Sequence, residues 1–359
     1  MEERLYLYPL LLSFLVLVAH SHDVPAIFIF GDSIFDAGNN QFIKNCTARA
    51  DFLPYGLNYF HRPTGRFTNG RTVADFIAES LDIKMQIPYL QVQMEILNGS
   101  RKDYPSNGVN FASAGSGVLR ATNRDMEVIS LQMQLRQFQA LIEQNQVNKK
   151  LVQKSLFFLE SGSNDIFNYF LPLEPQELDP RSYVQSMLAE IRHFLNQTHR
   201  LGARRIALFS LGPVGCVPAR ALLPRAPLHK CFGRMNKMVK DFNSGLEDIV
   251  MDFPNKYPGA VGVYGAVYDV VQLFRAIPAR YGFLNVTSAC CGDDGPLGGS
   301  LQCGKKGYKI CGNPNQFLFW DYFHPSEHAY KLISKALWAG KRSQIRPLNL
   351  KTLSHLNRG

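Results

Sequence analysis

The sequence predicts an α/β fold in three layers, a mainly parallel central sheet between helices, from two observations. Short apolar runs alternate along the chain with longer stretches of helical spacing, the pattern of strands joined by crossover helices. Small-polar clusters directly follow three of those runs. Val24 to Phe30 reads as a buried strand ending at Gly31-Asp32-Ser33. Arg71 to Leu81 carries Val73, Phe76, Ile77 and Leu81 at helical spacing. A short strand is expected around Val109 to Phe111, ending in Ala114-Gly115-Ser116-Gly117, and Leu131 to Val147 is amphipathic. Leu156 to Leu159 is a second buried strand, followed at once by Gly162-Ser163-Asn164-Asp165. The pattern then gives a helix over Tyr183 to Thr198, a strand over Arg205 to Ser210 and a helix over Cys231 to Met251. A strand over Ala260 to Tyr264 and a last helix over Ser326 to Trp338 complete it. In open parallel sheets ligands bind beyond the carboxyl ends of the strands. Ser33, Gly115 and Asn164 are therefore expected to meet on one edge.

Composition sets the frame. With 46% apolar and 19% charged residues the chain has an ordinary globular balance, which excludes a collagen-like or disordered protein. The stretch Leu5 to Ala19 is almost wholly apolar, and Ala19-His20-Ser21 offers small residues for signal-peptide cleavage, so 1–21 is expected to be removed. That run is shorter than the ~20 residues needed to span a bilayer, and no later segment is apolar enough. No linker divides 22–340, which reads as one domain, and the basic tail 341–359 is expected to be solvated and frayed.

Secretion fits two further features. N-x-S/T sequons stand at Asn45, Asn98, Asn196 and Asn285, each compatible with a glycan on a surface loop. The seven cysteines suggest about three disulfides with one thiol left over, in pairings that the spacing leaves open. A zinc site in the cluster of Cys290, Cys291, Cys303 and Cys311 is disfavoured, because no C-x-x-C pair or nearby histidine pair occurs. The formal charge of +10 suits association with an anionic wall or membrane surface, or solubility alone. Scattered basic residues on a secreted chain argue against nucleic-acid binding.

Three groups of residues could carry chemistry. A serine hydroxyl is a poor nucleophile until a base activates it in an exposed position. Ser33, in a turn at a strand end, has such a position, although a serine there also serves as a helix cap. In Asp321-Tyr322-Phe323-His324-Pro325, the aspartate can reach back to one imidazole nitrogen and fix the tautomer of His324. Pro325 fits the first turn of a helix and leaves His324 just outside it. The segment His324-Pro325-Ser326-Glu327-His328 also matches the H-x-x-E-H zinc motif, but that motif needs both histidines on one helical face. Gly115 can offer an unobstructed N–H and Asn164 an amide to a developing oxyanion.

Together these blocks resemble the GDSL family of the SGNH-hydrolase superfamily, and closely its plant-type secreted branch. The first block runs from Gly31 to Asn40, the second from Gly108 to Gly115, the third from Gly162 to Asp165 and the last from Asp321 to His324. Pro54 to Phe76 and Leu211 to Pro218 look like the same branch, and the resemblance extends from about Ala26 to Trp338. Gln41 departs from it, where many relatives continue the asparagine run.

The resemblance implies an SGNH-hydrolase, flavodoxin-like three-layer sandwich. It implies a nucleophile at Ser33, an Asp321–His324 pair, and an oxyanion hole from the Ser33 and Gly115 N–H groups and the Asn164 amide, with no metal or cofactor. The expected protein is a secreted serine esterase or lipase of the cell wall or apoplast, acting on lipid, acetylated-polysaccharide, cutin or phenolic esters. Alternatives are an acyltransferase with the same triad and a non-catalytic wall- or lipid-binding protein. Phe35, Phe52, Phe167 and Tyr169 are candidates for an apolar acyl pocket, against the commoner reading of core.

Overall fold

The run Ile27–Gly31 has no polar face, so it must be buried on both sides, and it becomes β1, the first strand in the order of the main sheet. The computed structural model describes residues 24–171 and 177–356. After β1 come helices α1 (Val73–Ser80), α2 (Tyr89–Leu97), α3 (Leu131–Glu143) and α4 (Lys149–Lys154), then β2 (Leu156–Glu160) and α5 (Ser163–Tyr169). Next are α6 (Pro180–Arg200), β3 (Arg205–Phe209), α7 (Gly233–Met251), α8 (Phe253–Lys256), β4 (Val261–Gly265) and α9 (Val267–Ala276). Four short strands follow, β5 (Asn285–Ala289), β6 (Cys291–Gly292), β7 (Lys309–Ile310) and β8 (Phe317–Phe319). The chain closes through α10 (Glu327–Ala339), β9 (Ile345–Arg346) and α11 (Leu350–Ser354).

The main sheet runs β1-β2-β3-β4-β9, the first four parallel and β9 antiparallel. The expected strand at Val109 to Phe111 shrinks to a parallel bridge between Asn110 and Ile29 on the free edge of β1. Its backbone bonds still tie it there, from Ile29 N to Val109 O and from Phe111 N to Ile29 O. With that segment counted as second in chain order, the order is the flavodoxin-like 2-1-3-4-5, whose direction reverses at β1.

Alternate side chains build the two outer layers. Phe28, Phe30 and Phe157 stack with Phe138 of α3 and Phe194 of α6 on one face. On the other, Phe209 and Leu337 of α10 close over Gly265, where an added Cβ would meet both rather than open space. Helices α1 and α9 pack beside α10 in that layer.

Two expectations change. The frayed tail after 340 does not hold for 341–356. Ile345 is buried in β9, Arg346 pairs with Glu247, and Leu350 and Leu353 of α11 are fully buried, because their apolar side chains cover the edge beyond β4. Helices α2, α4, α5, α8, α9 and α11 lie outside the expected set, since each is too short to leave a clear periodic trace. The signal segment 1–21 lies outside the described residues. Among those described, no helix is long and apolar enough to cross a membrane.

Three disulfides form, Cys216–Cys231, Cys290–Cys311 and Cys291–Cys303, leaving Cys46 as a buried thiol. The last two staple the loop-rich stretch that feeds β8 and Trp320.

One buried ion pair anchors the loop ahead of α1. Arg66 Nε and Nη2 each lie 2.8 Å from a different oxygen of Asp75, and Asp75 also accepts the Thr72 N–H that opens the helix. Burial pushes the Asp75 carboxyl up, but the Arg66 guanidinium outweighs it and holds the carboxyl below its ordinary value. Asp75→Asn strands a buried guanidinium, an expected loss of about 3–5 kcal/mol measured by urea unfolding at neutral pH. A depressed folded pKa contributes stability fully above the unfolded value of 3.8 and loses it as pH falls through the folded one. The gap between wild type and variant should therefore close only below pH 3.8.

Candidate active site

The site begins where β1 stops. Gly31 has φ +135°, and a Cβ there would lie 1.9 Å from the Glu160 carbonyl oxygen, so only glycine lets the ends of β1 and β2 come this close. The Gln134 amide grips the same residue, accepting from Gly31 N and donating to Gly31 O, both at 2.9 Å. The next turn is closed by Asp32, which accepts Ile34 N at its side chain and Asp36 N at its carbonyl. Ser33 is carried outward on that turn, its Oγ 2.7 Å from His324 Nε2.

His324 is held by a second local fold. Asp321 Oδ1 accepts the N–H groups of Phe323 at 2.8 Å and His324 at 2.7 Å, bending the chain back so that the imidazole returns to the carboxylate. His324 Nδ1 then lies 2.8 and 2.9 Å from the two Asp321 oxygens. A carboxylate only accepts, so Nδ1 carries the hydrogen and Nε2 is left to accept from Ser33. Phe67 packs on the imidazole with ring centroids 4.8 Å apart.

The H-x-x-E-H reading fails on geometry. The helix starts after Ser326, which caps it, and the three side chains part company. Glu327 pairs with Arg71, and His328 Nε2 bonds the Tyr281 carbonyl at 2.8 Å.

Gly115 and Asn164 arrive from the two neighbouring strand ends. Gly115 sits at φ +81° in the loop after the Asn110 bridge. Asn164, in the first turn of α5, places Nδ2 2.9 Å from Ser116 O and 3.4 Å from Asp32 Oδ2. Among the described residues, neither Ser33 N nor Gly115 N donates to a protein acceptor. Both face the cleft of about 1120 Å³ that Asn164 and His324 also border. Hydroxyl, imidazole and carboxylate stand in series beside unspent N–H donors, which is what acyl transfer needs.

Several neighbours of this cluster escaped the sequence reading. Tyr55, fully buried, donates its hydroxyl to Asp321 Oδ2 at 2.7 Å across 266 residues of sequence. Burial, then the Asp321 charge, pushes the Tyr55 phenol well above its ordinary value, so it stays a neutral donor. Asp36 accepts Gly38 N, Asn39 N and Ala114 N, while Asn39 Nδ2 donates to the carbonyls of Asn110 and Ala112. This buried clasp binds the Ser33 turn to the Gly115 loop. Its residues lie in the motif blocks, but nothing in their spacing announces who bonds whom.

Behind Ser33 lies a pair of buried acids. Burial pushes Asp32 up to about 6, and burial with the nearby Asp32 charge pushes Glu160 well above the ordinary range. Of the four candidate pocket aromatics, Phe35 borders a small cavity beside Ser33 and Phe167 borders the open cleft. Phe52 instead packs on Tyr55, and Tyr169 on Tyr183 and Phe170.

The sequons divide. Asn45 and Asn98 are exposed, outside any regular element. Asn196 is not on a loop but within α6, its Thr198 hydroxyl buried against the Phe194 and Leu195 carbonyls, and Asn285 lies on β5.

A sequence model described as "GDSL-like Lipase/Acylhydrolase" matches residues 27–337. This chain belongs to that family. Among curated relatives, "GDSL esterase/lipase 6" of Arabidopsis thaliana is 61% identical over 345 residues, covering 96% of this chain and 94% of the relative. "GDSL esterase/lipase 7" of the same plant is 34% identical, with 94% of each chain covered. "GDSL esterase/lipase EXL3" is 36% identical over 88% of this chain and 86% of the relative. This GDSL protein is a carboxylic ester hydrolase on an SGNH-type three-layer fold.

Gly31→Ala is expected to lower the thermal midpoint sharply. The left-handed backbone alone should cost about 1–3 kcal/mol, before β1 moves to relieve the contact with Glu160.

Proposed function

We propose that this GDSL hydrolase cleaves carboxylic esters through an acyl-enzyme on Ser33, with His324 as base and Asp321 as its orienting carboxylate. The observation that carries the reading is the 2.7 Å contact of Ser33 Oγ with His324 Nε2, with Asp321 across the ring at Nδ1. Ser33 Oγ attacks the ester carbonyl while Nε2 takes its proton. The oxyanion is received by the N–H groups of Ser33 and Gly115 and by the Asn164 amide, donors worth about 3 kcal/mol each in such sites. His324 then returns the proton to the leaving alcohol. Water, deprotonated by His324, releases the acid. Tyr55 is a positioning residue, holding the Asp321 oxygen that the peptide N–H groups do not use.

Secretion belongs to the same proposal. It rests on the three disulfides and on the apolar N-terminal run with small residues at 19 and 21. Exposed Asn45 and Asn98 are proposed glycan acceptors, whereas Asn196 and Asn285 lack the loop setting. The +10 charge suits retention at an anionic wall or membrane surface.

Ser33→Ala is expected to abolish hydrolysis of p-nitrophenyl esters while the protein is still secreted and folded. Full turnover by that variant would falsify the assignment. Adding alcohol acceptors and separating acid from new ester shows how far transfer competes with hydrolysis. Tyr55→Phe removes one charge-assisted hydrogen bond, worth about 1.5 kcal/mol, so kcat should fall about tenfold with KM little changed.

A further inference from the structure

Ser33 forms part of the wall of two different spaces. One is the larger open cleft, where His324, Asn123, Asn168 and Gln302 stand among apolar side chains such as Phe167 and Leu222. The other is a narrower apolar pocket of about 80 Å³, bordered by Ile34, Phe209, Gly212, Val214, Val267 and Val271. Asn164 borders both, but His324 borders only the cleft.

That asymmetry orients the ester. A group that protonates the leaving oxygen must come within hydrogen-bond reach of it, so the alcohol lies on the His324 side. The remaining substituent of the carbonyl carbon is directed away from His324, toward the apolar pocket. We propose that Ser33 divides its substrate, with a short acyl chain of about four carbons seated in the apolar pocket and a larger alcohol in the cleft. The assignment rests on the reading of Ser33 as nucleophile.

Size sets the chain length. An apolar cavity of about 150 Å³ holds benzene, so about 80 Å³ is room for about three heavy atoms beyond the carbonyl carbon. The polar groups on the wall are consistent with an apolar guest. Asp32 and Glu160 border the pocket, and burial raises both, so this end carries less negative charge than two ordinary carboxylates.

Gly212 is the specificity-determining position. An added Cβ there would meet no atom within 4 Å, and its backbone is not left-handed. The gap at 212 is thus open space beside the pocket that a side chain can occupy without strain. Val267, half-buried at the start of α9, offers an independent point of access.

The test compares p-nitrophenyl acetate, butanoate and decanoate on wild type, Gly212→Val and Val267→Phe. The readout is the ratio of kcat/KM values within one sample, which does not depend on the fraction of protein folded. Wild type should favour butanoate over decanoate by at least about tenfold, and each variant should lower the butanoate-to-acetate ratio about tenfold or more, the usual range for methylenes in an apolar pocket. Equal or better turnover of decanoate by wild type, or an unchanged ratio in both variants, overturns the proposal. With Ser33→Ala inactive, those outcomes reject only the acyl placement. A Ser33→Ala protein that keeps its activity rejects the underlying reading instead.

Discussion

One buried carboxylate organises the active edge of this hydrolase. Asp321 is fully enclosed and accepts from two peptide N–H groups of its own turn, from the His324 ring and from the Tyr55 hydroxyl. A buried charge is costly unless each lone pair is met, and four donors converge to meet it. The same bonds set the geometry. They bend 321–324 into a turn, choose the imidazole tautomer and draw the Tyr55 loop over the site. Three of the four donors come from that turn itself, and Tyr55 brings the fourth from a distant segment.

The sheet supplies the other half of the constraint. Its strand order reverses direction at β1, so the loops leaving β1, the Asn110 segment and β2 open away from one another and leave a crevice. Ser33, Gly115 and Asn164 stand on its three sides. The crevice would be loose if the loops were free, and the clasp of Asp36, Asn39 and Asn110 prevents that. It replaces the strand pairing that the short Asn110 segment fails to provide with side-chain bonds to peptide groups.

Polarity is distributed unevenly about Ser33. Apolar side chains from β3 and α9 close one side, while the open one mixes asparagines and a glutamine with apolar side chains. The two buried acids lie close to Ser33, where desolvation raises both and their proximity keeps them from ionising independently. Neither bonds the Ser33 hydroxyl, whose partner is His324 Nε2.

Much of this was legible in the chain itself. The four central strands and the long helices follow from unbroken apolar runs and helical spacing, because burial on two faces or one stripe leaves a periodic trace. Ser33, Gly115, Asn164, Asp321 and His324 were legible because each sits in a short block whose local backbone needs are visible. Contacts between distant segments were not. Tyr55 reaching Asp321, Gln134 gripping Gly31 and the docking of β9 on β4 join groups far apart in the chain, and the cysteines, only 12 to 21 residues apart, pair as the fold brings them together. The sequence by itself determined which strands form and which turn carries the serine. Only the tertiary structure decided which groups hold that turn in place and which spaces open beside the serine, since both depend on packing between segments with no local signature.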